Sequence, residues 1–168
     1  MDDLEVIRRA IEEHHKIRSG LRQVGAAVND MEALFGLQQA HASWGQGSVK
    51  EMTDPLGRVQ QTVNEMKQGL DRHFGFEEQY LPPVFGENLM KALLLEHSEV
   101  RQKLNDCEES VNRDMQGLPQ ERLLEYRTTI ERTIADLTAA IEGHASREEV
   151  VLRMLERALE KEKQDKAR

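Results

Sequence analysis

Four stretches of this chain carry apolar residues every three or four positions, and that spacing puts each set on one face of an α-helix. The first stripe is Leu4, Ile7, Ile11, His14, Ile17, Leu21, Val24, Val28, Met31 and Leu34. The second is Leu56, Val59, Val63, Met66, Leu70, His73, Glu77 and Tyr80. The third is Leu89, Leu93, His97, Val100, Leu104, Cys107, Val111 and Met115. The fourth is Leu123, Arg127, Ile130, Ile134, Leu137, Ile141, His144, Glu148, Val151, Leu155 and Leu159.

Helix breakers separate the stripes. The Gly- and Ser-rich HASWGQGSVKEMT reads as a loop before Asp54-Pro55, an N-cap and first-turn pair that predicts the start of the second helix. Pro82-Pro83 predicts its end, with Val84-Phe85-Gly86 as a corner. Gly117 and Pro119 end the third helix, and EKEKQDKAR predicts a charged, solvated or frayed tail over about residues 160–168. Four long helices with short connections predict an all-α, up-down-up-down four-helix bundle, a single domain over 1–168. A helical repeat array would need more and shorter helices.

Bulk properties narrow the function. The chain has 23 Lys and Arg against 31 Asp and Glu, a formal charge of −8, which disfavours nucleic acid as a partner. No basic membrane-binding face and no apolar run near the roughly 18 residues of a membrane span can be read. A single cysteine, Cys107, excludes an internal disulfide. The charged N-terminal stretch lacks the apolar run of a signal peptide, and the expected location is cytoplasmic.

The stripes are not purely apolar. His14, His73, Glu77, His97, His144 and Glu148 occupy core-facing positions, at least one per helix. A buried charge or unpaired polar group costs several kcal/mol unless paired or metal-bound, so six need a shared explanation. At about 1.5 Å per residue, antiparallel helices bring the four levels near one another. His73-x-x-x-Glu77 and His144-x-x-x-Glu148 each project two ligands from one face, a turn apart. Adding His14 and His97 makes a pocket of four nitrogens and two carboxylates. Such a set suits a dinuclear centre with open positions, and its donors suit iron, manganese or zinc.

An internal repeat supports the choice of histidines. Glu13-His14-His15-Lys16-Ile17-Arg18 aligns with Glu96-His97-Ser98-Glu99-Val100-Arg101, giving the frame E-H-x-x-[IV]-R. Later in each half comes H-x-x-x-E-E-x-x-L. The chain therefore reads as two similar helical hairpins. His15 and His41 fall off the core face; Glu78 and Glu149 read as solvated or as outer partners of a histidine ring. Tyr80 and Cys107 read as core, and Trp44 as folding onto the bundle end. The bland reading of the six is an internal His–Glu network without metal, since a lone core histidine is usually just hydrogen-bonded.

On these residues the sequence resembles the hemerythrin-like family, the HHE cation-binding domains. Their order of H, H-x-x-x-E, H, H-x-x-x-E on successive helices is matched by His14, His73 to Glu77, His97, and His144 to Glu148. The resemblance spans roughly residues 3–160. It implies two iron ions bridged by Glu77 and Glu148 and by an oxo or hydroxo group. His14 and His73 would hold one ion, His97 and His144 the other. The oxygen-carrying members have a further histidine where Arg101 stands, and H-x-x-x-x-D where this chain has His144-x-x-x-Glu148. The resemblance implies a centre that binds or senses O₂ or a related small molecule such as NO or peroxide. The competing expectations are a peroxide-consuming or iron-handling enzyme, and a regulatory bundle with a structural metal and an unidentified protein partner.

Overall fold

A computed structural model describes residues 1–41, 50–113 and 120–167; side chains of 32–55, 114–121, 123 and 124 are outside that description. It has four helices: α1 Asp3–His41, α2 Lys50–Tyr80, α3 Pro82–Val111 and α4 Gln120–Lys166. α1 packs on α2 and α4, and α3 packs on the same two, which is the expected four-helix bundle.

The helix ends show how local sequence sets the register. Asp2 and Glu5 form a reciprocal cap: the Glu5 amide donates to Asp2 Oδ1 at 2.9 Å, and the Asp2 amide to Glu5 Oε2 at 2.8 Å. α2 begins at Lys50, not at Asp54-Pro55. Trp44, Met115, Gly117 and Pro119 lie outside the described residues.

The α2–α3 connection is tighter than a corner of several residues. Leu81 alone separates the two helices, and Pro82 and Pro83 occupy the first helical positions of α3 instead of standing in a loop. The expected Val84-Phe85-Gly86 corner becomes one helical turn and a break at Gly86, whose φ of 67° and ψ of 178° suit glycine alone. Leu81 and Phe85 are buried beneath this turn.

The C-terminal tail is exposed, as expected, but it is helical through Lys166. The stripe continues through Leu155 and Leu159, which pack on the core, and ion pairs tie this end to α1. Arg8 reaches Glu156 at 2.8 Å and Glu160 at 2.5 Å, and Lys163 reaches Asp2 at 2.8 Å. These pairs are exposed, so solvent screens them strongly.

Two apolar cores result. One is built around Leu21, Val24, Leu70, Phe74, Leu104 and Ile141; the other around Ile7, Leu81, Phe85, Leu93 and Leu152. Some stripe positions shift. Leu89 is exposed while Met90 is buried, Arg127 yields its place to Tyr126, and Tyr80 is exposed with its ring against Phe76. A 3.6-residue period drifts against whole-residue spacing, so a stripe cannot be followed over many turns from spacing alone.

Candidate metal centre

Between the two cores lies a polar layer. His14 on α1, His73 and Glu77 on α2, His97 on α3, and His144 and Glu148 on α4 are all 0–4% exposed. The structure thus brings together all six residues selected from the stripes. His15 is exposed, off this layer, and the side chain of His41 is outside the described residues.

The inner nitrogens and the carboxylates crowd one another. His73 Nε2 lies 2.9 Å from Glu77 Oε1, and His97 Nε2 lies 3.2 Å from Glu77 Oε2. His144 Nε2 lies 3.3 Å from Glu148 Oε2. His14 Nε2 is between both acids, 3.6 Å from Glu77 Oε1 and 3.4 Å from Glu148 Oε2. Short as these approaches are, none has hydrogen-bond geometry: all four Nε2 atoms and all four carboxylate oxygens lack a hydrogen-bond partner.

The outer nitrogens explain why. His73 Nδ1 donates to Glu13 Oε2 at 3.1 Å, His97 Nδ1 to Glu78 Oε1 at 2.8 Å, and His144 Nδ1 to Glu96 Oε2 at 3.0 Å. An ionised carboxylate only accepts, so each of these Nδ1 atoms carries the proton. In a neutral ring that leaves Nε2 with a lone pair, pointing inward at oxygen lone pairs. Acceptors facing acceptors in a buried layer repel unless a cation stands among them. Two overlapping groups could each hold an ion: His14, His73, His144 and Glu148; and Glu77, His97 and His144.

The electrostatics point the same way. Burial pulls the His14 pKa down, but contacts with Glu148 and Glu77 outweigh it and raise it to about 9. Burial alone would raise Glu77; its contacts with His14, His73 and His97 instead hold it well below the usual carboxylate range. Glu148 is raised by burial and by the nearby Glu77 charge. Burial lowers His144 to about 4, so it donates to Glu96 as a neutral ring.

Sequence reasoning missed two residues here. Glu13 and Glu96 served only to align the halves, yet they carry the outer bonds of His73 and His144; the repeated Glu-His pair was the available signal. Glu78 takes the outer role expected of it, whereas Glu149 turns to Arg18 at 3.0 Å and Arg153 at 3.0 Å. Phe74, outside every stripe, is fully buried against the layer. Arg101 points outward: its guanidinium holds Glu78 at 2.9 Å and lies 5.1 Å from the centre of the Phe74 ring.

Residues 11–155 match the sequence profile of the hemerythrin HHE cation-binding domain. The chain belongs to this family. The matched span contains every residue of the polar layer. No curated protein and no solved structure shows significant similarity to this HHE domain. Among the described residues, no helix is long and apolar enough to cross a membrane.

Proposed function

We propose that this HHE domain holds two iron ions through His14, His73, Glu77, His97, His144 and Glu148, and that the centre binds or senses a small molecule such as O₂, NO or peroxide. The observation that carries the reading is the set of eight inward-facing nitrogen and oxygen atoms, buried and without hydrogen-bond partners. Four imidazoles with two carboxylates suit iron, with manganese and zinc as chemical competitors. Bound iron would supply open coordination positions and accessible redox states; the chain supplies orientation and burial.

The surroundings favour a small ligand. Apolar layers close the site above and below. A cavity of about 400 Å³ between α1 and α2 reaches Glu13 and His73, over Ile17, Met66 and Leu70. Gly20 and Gly69 line it, and a methyl group at either would meet open space.

A second reading, peroxide consumption, is favoured by Arg101. Its guanidinium is committed to Glu78, so the place of a fifth histidine contributes no nitrogen and the centre keeps more open positions.

The test is metal content by plasma mass spectrometry on anaerobically purified protein, with absorption spectra before and after air and after NO. About two irons per chain, with near-ultraviolet bands that change on ligand addition, are expected. Zinc alone, or intact helices that take up no iron, would overturn the iron reading. Turnover of added peroxide that is lost in Glu77→Ala would favour the second reading over the first.

A further inference from the structure

The four outer glutamates form a ring that is open at one point. Glu13 on α1 supports His73 on α2, Glu78 on α2 supports His97 on α3, and Glu96 on α3 supports His144 on α4. By the same rotation Glu149 on α4 should support His14 on α1, since Glu149 follows Glu148 as Glu78 follows Glu77. It does not. His14 Nδ1 is buried without a partner, although His14 is fully enclosed.

The arginines account for the opening. Arg101 and Arg18 hold equivalent places in the repeated E-H-x-x-[IV]-R frame. Arg101 binds Glu78 at 2.9 Å on the same oxygen that receives His97, so that carboxylate serves both. Arg18 also binds its glutamate, Glu149 at 3.0 Å, but reaches Glu142 at 3.1 Å as well. Arg153 takes the second oxygen of Glu149 at 3.0 Å. Both Glu149 oxygens are thus engaged by arginines. At the other half of the repeat, Arg101 pairs with Glu78 alone among the described ion pairs.

We infer that the two metal positions are unequal, and that the ion ligated by His14 is the weakly held one. The inference rests on the dinuclear reading above. In the sequence the inner ligands are balanced between the halves, with one histidine and one H-x-x-x-E pair from each hairpin, while the structure gathers four residues around His14 and three around His97, with His144 in both groups. The inequality comes from the outer shell. A carboxylate on the far ring nitrogen fixes the tautomer, orients the ring and makes the ligating nitrogen more basic; losing it costs about 10–100-fold in metal affinity. Three histidines have that support and His14 lacks it, so Glu13, Glu78 and Glu96 are positioning residues and Glu149 is not.

The experiment is a zinc titration of the metal-free protein, followed by calorimetry and by ¹⁵N resonances of labelled histidine side chains. Two steps are expected, the second about 10–100-fold weaker, with His97 shifting in the first and His14 in the second. Glu78→Gln is expected to weaken the first step by a similar factor and narrow the gap. Glu149→Gln, which touches neither histidine, is expected to leave both steps in place. Two equal steps, a His14 resonance that moves before or with His97, or a Glu149→Gln loss as large as that of Glu78→Gln would overturn the inference while leaving a dinuclear site standing. Uptake of one ion or none would overturn the dinuclear reading itself, and this inference with it.

Discussion

The Phe74 ring lies against the His97 imidazole, with centroids 4.0 Å apart and planes inclined by 20°. The same ring meets His144 edge-on at 5.5 Å, so one aromatic residue forms the floor beneath two histidines on different helices. Phe74 belongs to the core that holds Leu70, Val100 and Ile141, which makes the floor rigid.

Phe74→Ala is therefore expected to cost about 3–5 kcal/mol of stability, the range for removing a buried aromatic ring. It also frees the His97 ring to tilt. Chemical denaturation of the metal-free protein measures the first effect, and metal affinity at a temperature where the variant is folded measures the second. A variant with unchanged stability would show that the ring is not the packed floor described above.

Glu77 faces three histidines, with His73 and His97 on its separate oxygens. Glu77→Gln keeps the shape and removes the charge. Metal affinity is expected to fall by more than the roughly 10–100-fold of an outer-shell loss. Equilibrium dialysis against iron or zinc decides it; affinity equal to that of the parent chain would exclude Glu77 as a ligand.

The pH dependence follows from His14. In the metal-free protein its pKa rises from 6.5 to about 9, so the His14 proton, near Glu148 and Glu77, contributes stability that is fully present below pH 6.5 and lost as pH rises through 9. Metal must displace that proton. Affinity should thus climb about tenfold per pH unit between 6.5 and 9 and then level off, with release of about one proton. Calorimetry in buffers of different ionisation enthalpy reads the proton count. His144 acts in the opposite sense: its pKa, lowered to about 4, means that the fold loses stability as pH falls from 6.5 toward 4. Metal affinity independent of pH from 6.5 to 9 would contradict the proton's place at His14.

Two glycines separate backbone strain from helix propensity. At Gly86, φ of 67° and ψ of 178° belong to a region open to glycine alone, so Gly86→Ala should destabilise by about 1–3 kcal/mol. At Gly75, exposed in α2, an added methyl meets no atom within 4 Å, so Gly75→Ala should stabilise by up to about 1 kcal/mol. Thermal melts of the two variants should move in opposite directions.

The number of helices and the six polar core residues were legible in the sequence, because burial and helical period act along the chain. Leu21, Val63, Leu104 and Ile134 announce their faces by spacing alone, and His14, His73, Glu77, His97, His144 and Glu148 share those faces. The periodicity that makes a helix amphipathic is thus the property that aims the candidate ligands inward. What the sequence left open depends on neighbouring helices. Phe74 falls off the stripe of its own helix and is buried because α3 and α4 supply the histidines it packs on. Glu13 and Glu96 carry outer bonds because the next helix presents a ring nitrogen at the right height. Glu149, which the repeat makes equivalent to Glu78, is drawn off by Arg18 and Arg153. One-dimensional spacing fixes which way a side chain faces. Which partner it meets there is decided by distances between helices, and only the packed bundle sets those.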